Sequence, residues 1–153
     1  MTDMAEETGG TGTGDRSVTL TRVEKGVFDV TNERGGTMRI GGGGEQFSPV
    51  ELLLAAIAGC SATDVDFITS KRVQPTSFTV TGAGEKLRDD DGNRMGDLRV
   101  EFSVTFPEGA DGDRAREMLP KAIAKSHDRL CTVTRTVVLG TPVHSGMAEA
   151  ADG

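Results

Sequence analysis

The chain has 153 residues, a hydrophobic content of 35% and a formal charge of −7. That length holds one domain with a real core, and the excess of acid argues against nucleic acid and against anionic membrane surfaces as partners. No run of 18 apolar residues occurs, so no spanning helix is expected. The segment MTDMAEETGGTGTGDR is acidic, lacks an apolar stretch and does not read as a secretory signal. A cytoplasmic location is the expectation. A structural disulfide is unexpected there, so Cys60 and Cys131 are either inert or chemically active.

Residues 1–16 are Gly, Thr and acid, too polar to bury much surface, and read as a disordered tail. From Ser17 the pattern alternates. Val18 to Val23 predicts a strand, Glu24-Lys25-Gly26 a turn, Val27 to Thr31 a second strand and Thr37 to Ile40 a short third one. Gly41 to Gly44 reads as a flexible connector. It is not a phosphate cradle, because no Lys-Ser/Thr follows it and no buried strand precedes it. A long helix is expected from Ser48 to Arg72. Ser48 is a good N-cap, Pro49 suits the first helical position, and Ser48-x-x-Glu51 is a capping box. Val50 to Cys60 is nearly all apolar or small, which predicts burial on most sides of that half.

Val73-Gln74-Pro75 stops the helix. Ser77 to Gly82, running on toward Leu87, and Leu98 to Phe106 alternate cleanly around a charged turn and predict an antiparallel pair. A second helix is expected from about Asp111 to about Leu130. Its apolar face holds Ala115, Met118, Leu119, Ala122, Ile123 and Ser126, with a kink or break at Pro120. Thr132 to Leu139, rich in Thr and Val, predicts a last strand, and residues 144–153 a loose tail. The order β-β-β-α-β-β-α-β is α+β, with a domain over 17–143. Burying the apolar half of the long helix in so small a domain is hard, and a second copy would solve that problem.

Two cysteines carry the chemistry if anything does. A cysteine on an apolar helix face is usually a small hydrophobe, and reactivity needs a lowered pKa and access. Cys60 sits where the helix turns from apolar to polar. Cys131 is flanked by Arg129 and Arg135, which suit a thiolate but equally suit a helix end. Asp64, one turn after Cys60, reads as a solvated helix residue. His127 could act as a base, but reads more simply as a capping or surface residue. No Cys-x-x-Cys occurs, and His127, His144 and two cysteines are too few N and S ligands at workable spacing for a metal. No metal and no cofactor are expected.

The segments Ser48-Pro-Val-Glu-Leu-Leu-Leu-Ala-Ala-Ile-Ala-Gly-Cys60 and Asp128-Arg-Leu-Cys131-Thr-Val-Thr-Arg-Thr136 together resemble the OsmC/Ohr family of osmotically inducible and organic hydroperoxide resistance proteins. The resemblance covers roughly Ser17 to Val143. It implies an intertwined homodimer with sheets wrapped around central cysteine-bearing helices, and thiol-dependent reduction of organic hydroperoxides. Carried over, Cys60 is the peroxidatic thiolate, which becomes a sulfenic acid. Cys131 resolves it as a disulfide, and an external dithiol reduces that. The resemblance also implies an Arg from the first hairpin and a Glu near the helix start. Arg22 takes the first role, with Arg34 and Arg39 as other candidates, and Glu51 takes the second. Two departures stand out. Val50 occupies the position of the usual Glu, and the hairpin tip Glu24-Lys25-Gly26 has no Arg. The sequence is similar to the divergent OsmC-like branch. The alternative is an OsmC-like protein without peroxidase activity that binds a small apolar or electrophilic ligand at the dimer interface.

Overall fold

The computed structural model describes residues 12–149. Of the two expected tails, residues 1–11 and 150–153 lie outside the described residues, while 12–16 and 144–149 carry no helix or strand. The described elements are β1 (Val18–Glu24), β2 (Val27–Asn32), β3 (Thr37–Gly41), α1 (Pro49–Thr69), β4 (Ser77–Asp89), β5 (Gly92–Thr105), α2 (Ala110–Lys125), a π-helical turn (Ser126–Leu130) and α3 (Thr132–Val138). The architecture is α+β, with two antiparallel sheets, β1-β2-β3 and β4-β5.

The sequence signals at the start of α1 hold in detail. Ser48 Oγ accepts from the Glu51 amide and Glu51 Oε1 accepts from the Ser48 amide, each at 3.1 Å, which completes the capping box. The burial of α1 differs from expectation. Its buried positions are Ile57, Ala58, Ser61, Asp64, Val65 and Thr69, a stripe at helical spacing, while Ala55 and Ala56 are exposed. The apolar first half is therefore the less covered half. Within one chain α1 packs on β4, β5, α2, the π turn and α3, and the β1-β2-β3 sheet makes at most marginal contact with it. By length and composition α1 could also cross a membrane. Its packing against five other elements, with Asp64 in the buried stripe, makes it the core helix of this domain.

Strands β4 and β5 form a long hairpin that closes through Asp90 and Asp91, with Asp89 paired to Gly92 and Asp89 Oδ1 accepting from the Asp91 and Gly92 amides. The register shifts between Ala83 and Glu85, a bulge that bends the hairpin over α1. The hairpin meets α1 at Gly82, where a Cβ would stand 2.7 Å from the Leu54 carbonyl oxygen and 3.0 Å from the Ala58 methyl.

Three expectations for the last third of the chain are corrected. Helix α2 runs unbroken through Pro120, since a proline costs it one amide bond that the rest of the helix outlasts. The interruption falls later, at Ser126, where the Cys131 amide reaches back five residues to the Ser126 carbonyl at 2.8 Å. The segment after Cys131 is helix α3, not a strand. The preference of Thr and Val for strands is contextual, and here a local cap decides. Cys131 Sγ accepts from the Thr134 amide, and the Thr136 hydroxyl bonds back to the Thr132 carbonyl at 2.7 Å.

Because the Leu54 carbonyl is backbone and cannot yield, Gly82→Ala is expected to cost about 1–3 kcal/mol. Urea unfolding should show a lower midpoint at unchanged slope.

Candidate functional site

Helix α1 supplies two residues one turn apart, Cys60 and Asp64, and the chain returns at the junction of the π turn and α3 with Cys131. The two sulfurs and a carboxylate oxygen of Asp64 all lie within 4.8 Å of one another. Both cysteines are free thiols. Cys131 and Asp64 have no solvent exposure, while Cys60 is half-buried.

Cys131 is surrounded by donors. The Cys60 sulfur lies within 4.8 Å of its sulfur, and the Ser61 hydroxyl donates to it at 3.5 Å. The Thr134 amide donates at 3.3 Å, and the Thr134 hydroxyl lies 3.1 Å away. These contacts, led by the one from Cys60, hold Cys131 down at about 5 despite its burial. Cys60 is pushed up, first because its proton is held in the bond to Cys131, then by burial and by the Cys131 and Asp64 charges. The pair therefore shares one proton and one negative charge, and the hydrogen bonds from the Ser61 hydroxyl and the Thr134 amide favour the charge on Cys131.

Asp64 is not the solvated residue its position suggested. Its Oδ2 accepts from the Ser126 hydroxyl at 2.9 Å, and its Oδ1 has no hydrogen-bond partner. Burial raises Asp64 to about 6, opposed by the Ser126 bond and reinforced by the Cys131 charge. Ser126 was legible as a polar residue on the apolar face of α2. Asp64 carried only its one-turn spacing from Cys60.

Beside this cluster lies an apolar cavity of about 180 Å³ between α1, β5, α2 and α3, walled by Ile57, Val100, Phe102 and Ile123. Ser61 and Thr134, which both contact the Cys131 sulfur, also line it.

Of the other candidate residues, His127 lines this cavity and the rest lie elsewhere. Glu51 is engaged in the capping box. It stands nine residues before Cys60, about half a turn round and roughly 13 Å along the helix, beside a different cavity with Phe47, Leu54 and Gly82. Arg22 is exposed on β1 opposite Phe28, and its guanidinium makes no hydrogen bond or ion pair among the described residues. Arg39 pairs with Asp29 at 2.7 Å. Arg135 donates to the Asp128 carbonyl at 3.0 Å, and Arg129 is exposed. His127 is exposed, with its Nδ1 3.0 Å from Asp128 Oδ1. The structure thus brings Cys60 and Cys131 together and leaves Glu51 and Arg22 outside the cluster within one chain.

Residues 42–145 match the family described as OsmC-like protein. The chain belongs to that family. No curated protein matches it. Among solved structures it is similar to a hypothetical protein from Aquifex aeolicus VF5, at 20% identity and a TM-score of 0.67, covering 84% of this chain and 91% of that one. It is similar to an OsmC-like protein of unknown function from Vibrio cholerae, at 14% identity and a TM-score of 0.60, covering 81% and 94%. A third is an organic hydroperoxide resistance protein OsmC from Legionella pneumophila, at 14% identity and a TM-score of 0.56, covering 83% and 91%. At these identities the likeness is one of fold. In this OsmC-like domain the cysteine cluster includes the carboxyl group of Asp64.

Asp64 gives this OsmC-like domain a pH dependence with a definite sign. Its folded pKa lies above the unfolded value of 3.8, so the stability it contributes is full below pH 3.8 and is lost as pH rises through about 6. Asp64→Asn removes that loss. Under reducing, metal-free conditions the variant is expected to be more stable than the parent by about 2 kcal/mol at pH 7.5, with the gain gone at pH 4. Paired urea melts at the two pH values check this, and an equal difference at both would disprove the assignment.

Proposed function

We propose that the chain reduces small organic hydroperoxides with its two thiols, as a cytoplasmic homodimer regenerated by an external dithiol. The observation that carries this reading is the meeting of the Cys60 and Cys131 sulfurs within 4.8 Å. The apolar cavity beside them suits an alkyl or aryl peroxide. Its volume of about 180 Å³ is below the ~300–1,000 Å³ typical of drug-sized ligands. Hydrogen peroxide would gain nothing from such walls and would lose hydration.

The roles follow from where the charge rests. Cys131, whose sulfur is held by Ser61 and Thr134 in the wall of the cavity, is the resident thiolate, and we assign the first attack to it. This reverses the order that the resemblance implied. The thiolate bonds to one peroxide oxygen, the O–O bond breaks, and the departing alkoxide takes a proton from water to leave as the alcohol. Cys131 becomes a sulfenic acid. The Cys60 sulfur then bonds to the Cys131 sulfur, and the hydroxyl leaves with the Cys60 proton as water. A dithiol reduces the disulfide by exchange, reaching it at Cys60, the half-buried member of the pair.

The homodimer is supported by what one chain leaves open. Val18, Leu20, Val23 and Met38 on the first sheet are exposed, as is Phe47 before α1, and the first half of α1 is only partly covered. A second copy laid over α1 would cover both. Sedimentation equilibrium at micromolar concentration is expected to give twice the chain mass, and a monomer would remove this part of the proposal.

The chemistry is tested by brief exposure of reduced protein to a few equivalents of cumene hydroperoxide, followed by thiol blocking and peptide mapping. The expected product is a Cys60–Cys131 disulfide. In Cys60→Ser a sulfenic acid should be trapped on Cys131, and Cys131→Ser should consume peroxide at least tenfold more slowly. A sulfenic acid on Cys60 alone would return the first attack to Cys60. Two free thiols after minutes would favour the alternative, a ligand-binding OsmC-like protein, which the engagement of Glu51 in its cap already favours.

A further inference from the structure

The hydroperoxide chemistry uses two of the three acidic groups in the cluster and leaves Asp64 without a task. A carboxyl group with no solvent exposure and one oxygen without a partner is costly, and such a group in a folded protein needs a reason. Three features around it define one.

Cys60 and Asp64 are four residues apart on a rigid helix, a spacing that puts two ligands on one face. Cys131 approaches from the start of α3, so the three donor atoms converge from two elements to within 4.8 Å of one another. Bond lengths of about 2.3 Å to sulfur and about 2.0–2.2 Å to carboxylate oxygen place the ligands of a tetrahedral ion some 3.5–3.8 Å apart. Small side-chain shifts therefore close the present set around an ion. The ligands are also oriented by their own hydrogen bonds. Ser126 holds Asp64 Oδ2 at 2.9 Å and so leaves Oδ1 free, and Ser61 and Thr134 hold the Cys131 sulfur. Such supporting bonds are a regular feature of built metal sites. The half-buried Cys60 provides the way in.

We infer that, with its thiols reduced, the chain binds one thiophilic divalent cation, Zn²⁺ or an ion that mimics it, through Cys60 Sγ, Cys131 Sγ and the Asp64 carboxylate, with the fourth position open. Counting only cysteine and histidine had left too few ligands, and the carboxylate supplies the third. Binding replaces the one proton left on the cysteine pair, and the carboxyl proton wherever Asp64 still carries it, by metal–ligand bonds, without any redox change. Oxidation to the Cys60–Cys131 disulfide destroys two of the three ligands, so the site exists only in the reduced protein. A bound cation in turn blocks both sulfurs from peroxide.

The test is a Co²⁺ titration of the full chain, reduced, stripped with chelator and exchanged into chelator-free buffer. The expected result is one Co²⁺ per chain, with a thiolate-to-cobalt charge-transfer band and the visible bands of a tetrahedral site, displaced one for one by Zn²⁺. Asp64→Asn should keep its fold by circular dichroism and its two titratable thiols, yet bind at least tenfold more weakly. Cys60→Ser and Cys131→Ser should each lose half or more of the charge-transfer intensity, and protein carrying the disulfide should bind none. No charge-transfer band, or an Asp64→Asn affinity equal to that of the parent, overturns the site. The readout is a spectrum and not turnover, so this inference and the peroxide reading fail separately. An absent disulfide in the peroxide experiment leaves the cation site standing, and an absent cobalt band leaves peroxide reduction in chelator untouched.

Discussion

The bond on which the site depends is the one between Asp64 and Ser126. It joins the buried stripe of α1 to the π turn through a carboxylate and a hydroxyl, both shielded from water. Ser126 has two tasks. Its hydroxyl holds Asp64, and its carbonyl accepts the Cys131 amide at 2.8 Å, which closes the π turn. The wider turn inserts an extra residue into the helical path. That offset lets Cys131 leave the helix, cap α3 with its own sulfur and come to rest against Cys60. Together with the Ser61 hydroxyl on the Cys131 sulfur, this link fixes the register between α1 and the segment that carries the second thiol.

How far the sequence revealed this varies with the kind of signal. The start of α1 was legible to the residue, because a capping box is a local device in which side chain and backbone satisfy each other. The strands were legible because alternation survives wherever one face is covered, and the β4-β5 register bears out the pairing. The last element misled because Thr-Val-Thr-Arg-Thr-Val-Val has strand composition, while the structure is set by a sulfur cap that composition does not encode. Asp64 misled for a related reason. A carboxylate next to Asp66 and Phe67 looks like the start of a solvent face, and only the return of Ser126 from far along the chain reveals that it is buried. The convergence of Cys60 with Cys131 was legible only as a resemblance, since spacing in sequence says nothing about two segments that meet through tertiary packing.

The same packing shows what one chain leaves unfinished. The hairpin β4-β5 and helices α2 and α3 cover α1 from Ile57 onward. The three-stranded sheet, which has strand pairing but little apolar cover, stands nearly free of it. An exposed sheet of this kind does not hold itself together well. Glu51 and Arg22, the two residues that the resemblance would place at the thiols, belong to this open part, whereas the thiols and Asp64 belong to the covered part.

The electrostatics of the covered part explain why the cluster does without an arginine. Neutral donors suffice for one anion. The Cys60 thiol, the Ser61 hydroxyl and the Thr134 amide share the Cys131 charge among them, each contributing at short range in a medium of low dielectric. They do not suffice for two. A second thiolate at Cys60, or an ionised Asp64, places another negative charge within 4.8 Å of the first, which is why burial and the Cys131 charge push both groups up. A guanidinium in the cluster would have relaxed that limit and made the thiols independent of each other. In its absence the cluster holds a single negative charge below about pH 6, and above it carries a second one on Asp64 at a cost in stability, until something removes the conflict. Two chemical events can do so. A disulfide converts both sulfurs to neutral atoms, and a divalent cation neutralises the charges where they stand. Oxidation and cation binding are thus competing ways for one arrangement of Cys60, Asp64 and Cys131 to relieve the same repulsion, and Ser126, by holding Asp64 against the two sulfurs, creates that repulsion in the first place.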